Sequence, residues 1–245
     1  IGEIKEIMHW IKNEKILMQE WQLEKRLKPG YRALFYGPPG TGKTLTASLM
    51  GEVLGLPVYR IDLSKLVSKY IGETEKNLAQ ALVLADAMSP CVLWIDEIEK
   101  GLAAGDSDGG VSKRLLGTFL TWLSERKSQV FLVATANNIH ELAPELLRKG
   151  RFDEIFFVDL PNPDERAKLL TLHLKKRQLF LEDTDLAGVL GLCDGFSGAE
   201  LEQAVVGAGF RARASQQHFS ASHLMDEIAA TQPLSVVMAE KVSAL

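Results

Sequence analysis

The chain has 245 residues, 46% of them hydrophobic, and a formal net charge of -4, enough to bury one large core or a large and a small one. Its 28 basic and 32 acidic residues are scattered rather than massed, so no dedicated nucleic-acid surface is expected, and no apolar run or signal-peptide layout announces membrane insertion. Its only cysteines, Cys91 and Cys193, lie far apart without ligand-like neighbours, which disfavours a disulfide framework or a zinc site and fits a reducing, cytoplasmic compartment.

From Ile4 to about Leu27 the apolar residues Ile4, Ile7, Met8, Ile11, Leu17, Trp21 and Leu23 recur mostly at helical spacing, predicting an amphipathic lead-in that Pro29-Gly30 ends. Trp10 and Trp21 read as core or subunit-contact residues. Five apolar runs of buried-strand length follow, at Ala33 to Tyr36, Val58 to Leu63, Cys91 to Asp96, Val130 to Ala136 and Ile155 to Leu160. Helical stretches, including Lys43 to Leu54, Glu75 to Met88 and Val111 to Leu123, alternate with them. That alternation predicts an α/β fold with a mainly parallel sheet covered on both faces.

After Leu160 the strands stop. Pro161-Asn162-Pro163-Asp164 opens a helical pattern through Gln178, with Asp164 as N-cap or first-turn acid, and two or three further helices are expected, notably from Ser197 to Arg213. The boundary is placed near Pro161, giving a large α/β domain over 1–160 and a small helical domain over 161–245.

Gly37-Pro38-Pro39-Gly40-Thr41-Gly42-Lys43-Thr44 matches G-x-x-x-x-G-K-[ST] between a strand candidate and a helix, the context that a phosphate-binding loop demands. Its glycines let backbone N–H groups face phosphates, Lys43 neutralises the β- and γ-phosphates, and the Thr44 hydroxyl ligates Mg²⁺. Leu45, next in the helix, completes the expected ATP-binding set. The apolar run Cys91 to Ile95 ends in Asp96-Glu97, two carboxylates at a strand's carboxyl edge. Asp96 is expected to hold Mg²⁺ and Glu97 to orient and deprotonate the attacking water. Val130 to Ala136 likewise ends on Thr135 and Asn137; Asn137 could bond the γ-phosphate or the lytic water, or Asn137-Asn138 could simply form a turn.

Together with Glu145-Leu146-Leu147-Arg148-Lys149-Gly150-Arg151-Phe152-Asp153, these motifs resemble the AAA family over essentially the whole chain. The resemblance implies a P-loop NTPase sheet followed by a small all-helical lid domain. It makes Asn137 the residue sensing γ-phosphate, and Arg148 and Arg151 arginine fingers reaching the nucleotide of a neighbouring subunit in a hexameric ring. In the lid, Leu169 and His173 match positions near adenine and ribose, although a lone His is often structural, and Gly198-Ala199 match the turn that approaches nucleotide.

Tyr70-Ile71-Gly72 resembles the pore loop with which AAA machines grip an extended polypeptide; the bland alternative is packing on the following helix. Gly101 to Gly110, with Asp106 and Asp108, takes the place of a second pore loop. Pro90 to Ile98, Gly117 to Trp122 and Pro233-Leu234-Ser235 look like the AAA branch encoded in algal chloroplast and cyanobacterial genomes, which carries a further N-terminal domain; chloroplast stroma is then an alternative location. The expected activity is Mg²⁺-dependent ATP hydrolysis in a homo-oligomeric ring that threads or remodels an unidentified protein client. The alternative is a nucleotide-controlled switch that assembles with a partner without threading.

Overall fold

The computed structural model describes residues 30–66, 73–102 and 110–237. The expected lead-in, with Trp10 and Trp21, the pore-loop residues Tyr70, Ile71 and Gly72, and most of Gly101 to Gly110 lie outside the described residues.

Two compact units are present. The first holds residues 30–36 and Lys43–Phe157, and the second holds Gly37–Gly42 and residues 158–237. The first is built on strands β1 (Arg32–Tyr36), β2 (Val58–Asp62), β3 (Cys91–Asp96), β4 (Val130–Ala136) and β5 (Glu154–Phe157). They form one sheet in the order β2-β3-β4-β1-β5, parallel at every pairing. All seven residues of β4 are buried, as are the first five of β3. These near-continuous apolar runs suit central strands with both faces covered. The edge strands β2 and β5 have the sequences VYRID and EIFF, and each is partly exposed.

Helices α1 (Lys43–Leu54), α2 (Leu63–Leu66), α3 (Glu73–Ala87) and α4 (Val111–Glu125) connect the strands. The chain runs from β1 outward to the far edge at β2, then returns through β3 to β4. Because parallel crossovers are right-handed, this reversal sends α1 to one face and α3 and α4 to the other. In agreement, α3 packs on α4 and α1 packs on β3 and β4. The core between sheet and helices is filled by residues such as Leu34, Leu78, Leu93, Ile95, Leu115 and Phe119.

Strand ends depart from the sequence expectation for identifiable reasons. β5 stops at Phe157 rather than Leu160 because its only partner among the described residues is β1, whose last paired residue, Tyr36, faces Phe157. At the next position Gly37 leaves the strand with φ of 146°. β2 stops at Asp62, the last residue paired with β3, and Leu63 opens α2. Helix α3 begins at Glu73 instead of Glu75, placing both acids in its first turn, where the helix dipole favours them.

The second unit contains α5 (Pro163–Lys176), α6 (Asp183–Leu190), α7 (Gly198–Ala214), α8 (Ala221–Ala230) and the short α9 (Leu234–Val237). Its separate core includes Leu170, Leu174, Phe196, Leu201, Val205 and Leu224. Asn162, not Asp164, caps α5. Its side chain accepts from Glu165 N while Glu165 Oε2 accepts from Asn162 N, both at 3.0 Å, and Asp164 lies in the first turn. Ser197 and Glu200 cap α7 in the same reciprocal way.

Candidate active site at the carboxyl edge of the sheet

In the first unit, parallel pairing brings the ends of β3 and β4 together beside the start of α1. Asp96 terminates β3 with its side chain only 10% exposed. Its Oδ1 accepts from the Thr44 hydroxyl at 3.0 Å and from the Thr135 hydroxyl at 2.6 Å. Thr44 stands on the first turn of α1 and Thr135 near the end of β4, so three separate elements fix this carboxylate. A carboxylate and a hydroxyl in contact are hard oxygen donors, the kind that Mg²⁺ takes; the residues present fit that ion.

Glu97 follows in a left-handed conformation, φ 49° and ψ 53°. For a residue with a Cβ this costs about 1–2 kcal/mol, and strain of this kind concentrates where a side chain must be aimed. The Thr135 hydroxyl holds the turn by accepting from Glu97 N at 3.1 Å. The Glu97 carboxylate is half-exposed; Oε1 accepts from Asn137 Nδ2 at 3.1 Å and Oε2 pairs with Lys100 Nζ at 2.5 Å. Asn137 therefore does more than turn the chain, since its amide is bonded to Glu97.

Lys43 is buried beside these acids. Burial pulls its ammonium down to about 8, while the Glu99, Asp96 and Glu97 carboxylates act in the opposite direction. Glu99 is also buried, and burial raises its carboxyl pKa above the usual range. Its Oε1 accepts from Asn137 N at 3.0 Å, while Oε2 has no hydrogen-bond partner among the described residues. Sequence reasoning assigned no role to Thr135, Glu99 or Arg60, whose Nη2 donates to Asp96 Oδ2 at 2.9 Å. The available signals were a polar residue in an apolar strand, a third acid after Asp96-Glu97, and a charged residue inside a short strand.

Arg148 and Arg151 belong to the turn between β4 and β5, and they are not bonded to this cluster. Arg148 is exposed. Arg151 Nη1 donates to Leu120 O at 3.1 Å and to the Ser124 hydroxyl, both on α4. The turn is tied to β1 by the buried Arg32, whose Nε and Nη2 reach the Asp153 carboxylate at 3.0 and 2.5 Å and whose Nη1 donates to Gly150 O at 3.1 Å.

Within the second unit, Gly37–Gly42 meets the start of α7. Ala199 N donates to Gly40 O at 3.1 Å. Gly40 has φ of 79°, and a Cβ there would lie 2.6 Å from Ser197 Oγ, so glycine is required on both counts. The Thr41 hydroxyl closes the loop on Pro38 O at 2.9 Å. A Cβ on Gly198 would stand 3.5 Å from both Gly40 O and Leu169 Cδ1. Pro39 sits between Pro38 and Gly40 in this loop, and Leu45, just beyond it in the first unit, is 61% exposed.

His173, on α5, is mostly buried. Its Nδ1 lies 3.7 Å from Glu202 Oε1 and has no hydrogen-bond partner among the described residues. Burial lowers the imidazole pKa below its usual 6.5, Glu202 opposes that shift, and Arg177 and Lys176 add to it. Cys91 and Cys193 are buried free thiols, and burial pushes Cys193 up to about 11. Among the described residues, no helix is long and apolar enough to cross a membrane.

Known proteins resemble this chain over most or all of its length. An uncharacterized AAA domain-containing protein, ycf46, of Pyropia yezoensis is 39% identical across all of this chain and half of its own. The Cell division control protein 48 homolog C of Arabidopsis thaliana is 37% identical over 73% of this chain and 22% of its own. The Proteasome-activating nucleotidase of Aeropyrum pernix is 36% identical over 77% of this chain and 47% of its own. The chain spans about half the length of the ycf46 relatives it matches. With residues 33–160 matching the profile of the "ATPase family associated with various cellular activities (AAA)", this chain belongs to the AAA family.

Proposed function

We propose that this chain hydrolyses ATP with Mg²⁺ as one subunit of a homo-oligomeric, hexameric ring, and that hydrolysis drives the remodelling or threading of a protein client. The observation that carries the hydrolytic reading is the convergence of Thr44 and Thr135 on Asp96 and of Asn137 on Glu97.

In this reading Gly37, Pro38, Pro39, Gly40, Thr41 and Gly42 wrap the phosphates with backbone N–H groups, and Lys43 supplies a buried positive charge. Thr44 and Asp96 hold Mg²⁺, which when bound neutralises charge on the β- and γ-phosphate oxygens. Glu97 takes a proton from the attacking water, and Asn137, bonded to Glu97 Oε1, keeps that carboxylate aimed. Leu45 on α1, and His173, Gly198 and Ala199 in a small helical lid over 161–245, serve the nucleoside end.

Ring formation and threading rest on Arg148, Arg151, Tyr70, Ile71 and Gly72, by their likeness to the fingers and pore loop of the family. Similarity to a nucleotidase named for activating the proteasome favours a protein client. The setting is an ATP-supplied compartment, cytoplasm or chloroplast stroma. Mixing Arg151→Ala with Glu97→Gln subunits tests the shared site. Activity in the mixture that neither variant has alone supports a ring with fingers acting in trans; a concentration-independent wild-type rate with no rescue points to a nucleotide switch.

A further inference from the structure

We propose that Arg60 acts as a stand-in cation on Asp96 and thereby sets how much Mg²⁺ the site requires, an inference that rests on the Mg²⁺-nucleotide reading above. Register creates the situation. Arg60 lies opposite Trp94, and Asp62 lies opposite Asp96, on the paired strands β2 and β3. Side chains two apart on a strand share a face, so Arg60, Asp62, Trp94 and Asp96 line one surface. Two carboxylates directly opposite each other on neighbouring strands repel.

Arg60 sits on the diagonal and relieves that repulsion. Its Nη2 is 2.9 Å from Asp96 Oδ2, and its guanidinium carbon stands 4.6 Å from the centroid of the Trp94 ring. With Thr44 and Thr135 on Oδ1, both oxygens of Asp96 are already engaged by protein donors. The Thr44 bond is compatible with metal, because a hydroxyl can ligate through oxygen while donating its proton to Asp96. The Arg60 bond is not: a cation, or its water, approaching Oδ2 meets a guanidinium of like charge.

Arg60 also has somewhere to go. Its side chain is 48% exposed, and it borders a cavity of about 350 Å³ shared with Ile61, Asp62, Lys65 and Ala81. Asp62, paired with Lys65 at 3.3 Å, keeps that side of the cavity acidic. Loading of the metal then moves one positive charge off Asp96 as another arrives.

The test titrates Mg²⁺ against a fluorescent, non-hydrolysable ATP analogue, with EDTA as the metal-free reference, for wild type, Arg60→Lys and Arg60→Met. Methionine keeps an apolar stem on Trp94 and removes the charge. The half-saturating Mg²⁺ concentration is expected to fall about threefold in Arg60→Met, the scale of a partly exposed ion pair. Arg60→Lys, which retains a point charge without the planar fork, should fall between the two and carries the test if Arg60→Met does not fold. General damage to the site would raise the midpoint, so the direction separates the two causes. Without metal or nucleotide, Arg60→Met should melt below wild type, and Mg²⁺ alone should raise its melting temperature more than that of wild type. A midpoint that is unchanged or higher in the variants, with wild type still Mg²⁺-dependent, overturns the inference alone. Nucleotide binding in wild type that ignores Mg²⁺ overturns the proposed function as well.

Discussion

The Thr135 hydroxyl donates to Asp96 Oδ1 at 2.6 Å and accepts from Glu97 N at 3.1 Å, so one buried side chain of β4 fixes both acids at the end of β3. Removing the hydroxyl while keeping the shape, as in Thr135→Val, leaves a buried N–H and a carboxylate oxygen each short of a partner. The expected loss is about 1–3 kcal/mol in stability. ATPase turnover should also fall, because Glu97 loses the bond that holds its left-handed turn. Thr135→Ser should restore most of both. Thermal melts and phosphate release on the three proteins check this; wild-type turnover in Thr135→Val would remove Thr135 from the account.

The Arg32–Asp153 fork anchors the turn that carries Arg148 and Arg151. Asp153→Ala strands a guanidinium that is only 6% exposed. Breaking such a pair from one side costs about 3 kcal/mol or more, which corresponds to a melting temperature lower by roughly 5–10 °C. The double variant Arg32→Met/Asp153→Ala should recover part of that loss, since no charge then remains buried. A double variant less stable than Asp153→Ala would contradict the explanation.

How much of this was legible beforehand divides along sequence distance. Gly37 to Thr44 and Asp96-Glu97 are local signals, and a reader needs only the flanking strand and helix to place them. Thr135 and Arg60 act on Asp96 from 39 and 36 residues away. Their partnership depends on the register β2-β3-β4, which no local pattern specifies. The early end of β5 has the same origin: Ile155 to Leu160 reads as one apolar run, yet pairing stops at Phe157 because the chain leaves β1 at Gly37. The capping boxes at Asn162 and Ser197 were within reach of sequence, since each carries Glu three residues on. Of the two roles expected for Asp164, N-cap or first-turn acid, it takes the second.

His173 makes the helical unit sensitive to acid. Burial holds its folded-state pKa below the usual 6.5, so the unfolded chain binds the proton first as pH falls. The contribution to stability is present above about 6.5 and is lost as pH drops from there toward the folded pKa. The neighbouring Glu202 carboxylate softens this loss, and Arg177 and Lys176 deepen it. The urea midpoint of wild type should therefore fall between pH 7.5 and pH 5.5 by more than that of His173→Gln. Equal falls would assign the acid sensitivity to other groups.

The most direct measurement is Mg²⁺-dependent phosphate release from ATP by wild type and by Glu97→Gln, run beside nucleotide binding for both. Glutamine preserves the contact with Asn137 but cannot take a proton from water. The account predicts that Glu97→Gln binds ATP as wild type does while turnover falls by roughly 10²-fold or more, the usual worth of a general base. Turnover by Glu97→Gln at the wild-type rate, with binding intact, would contradict the assignment of this carboxylate and the chemistry built on it.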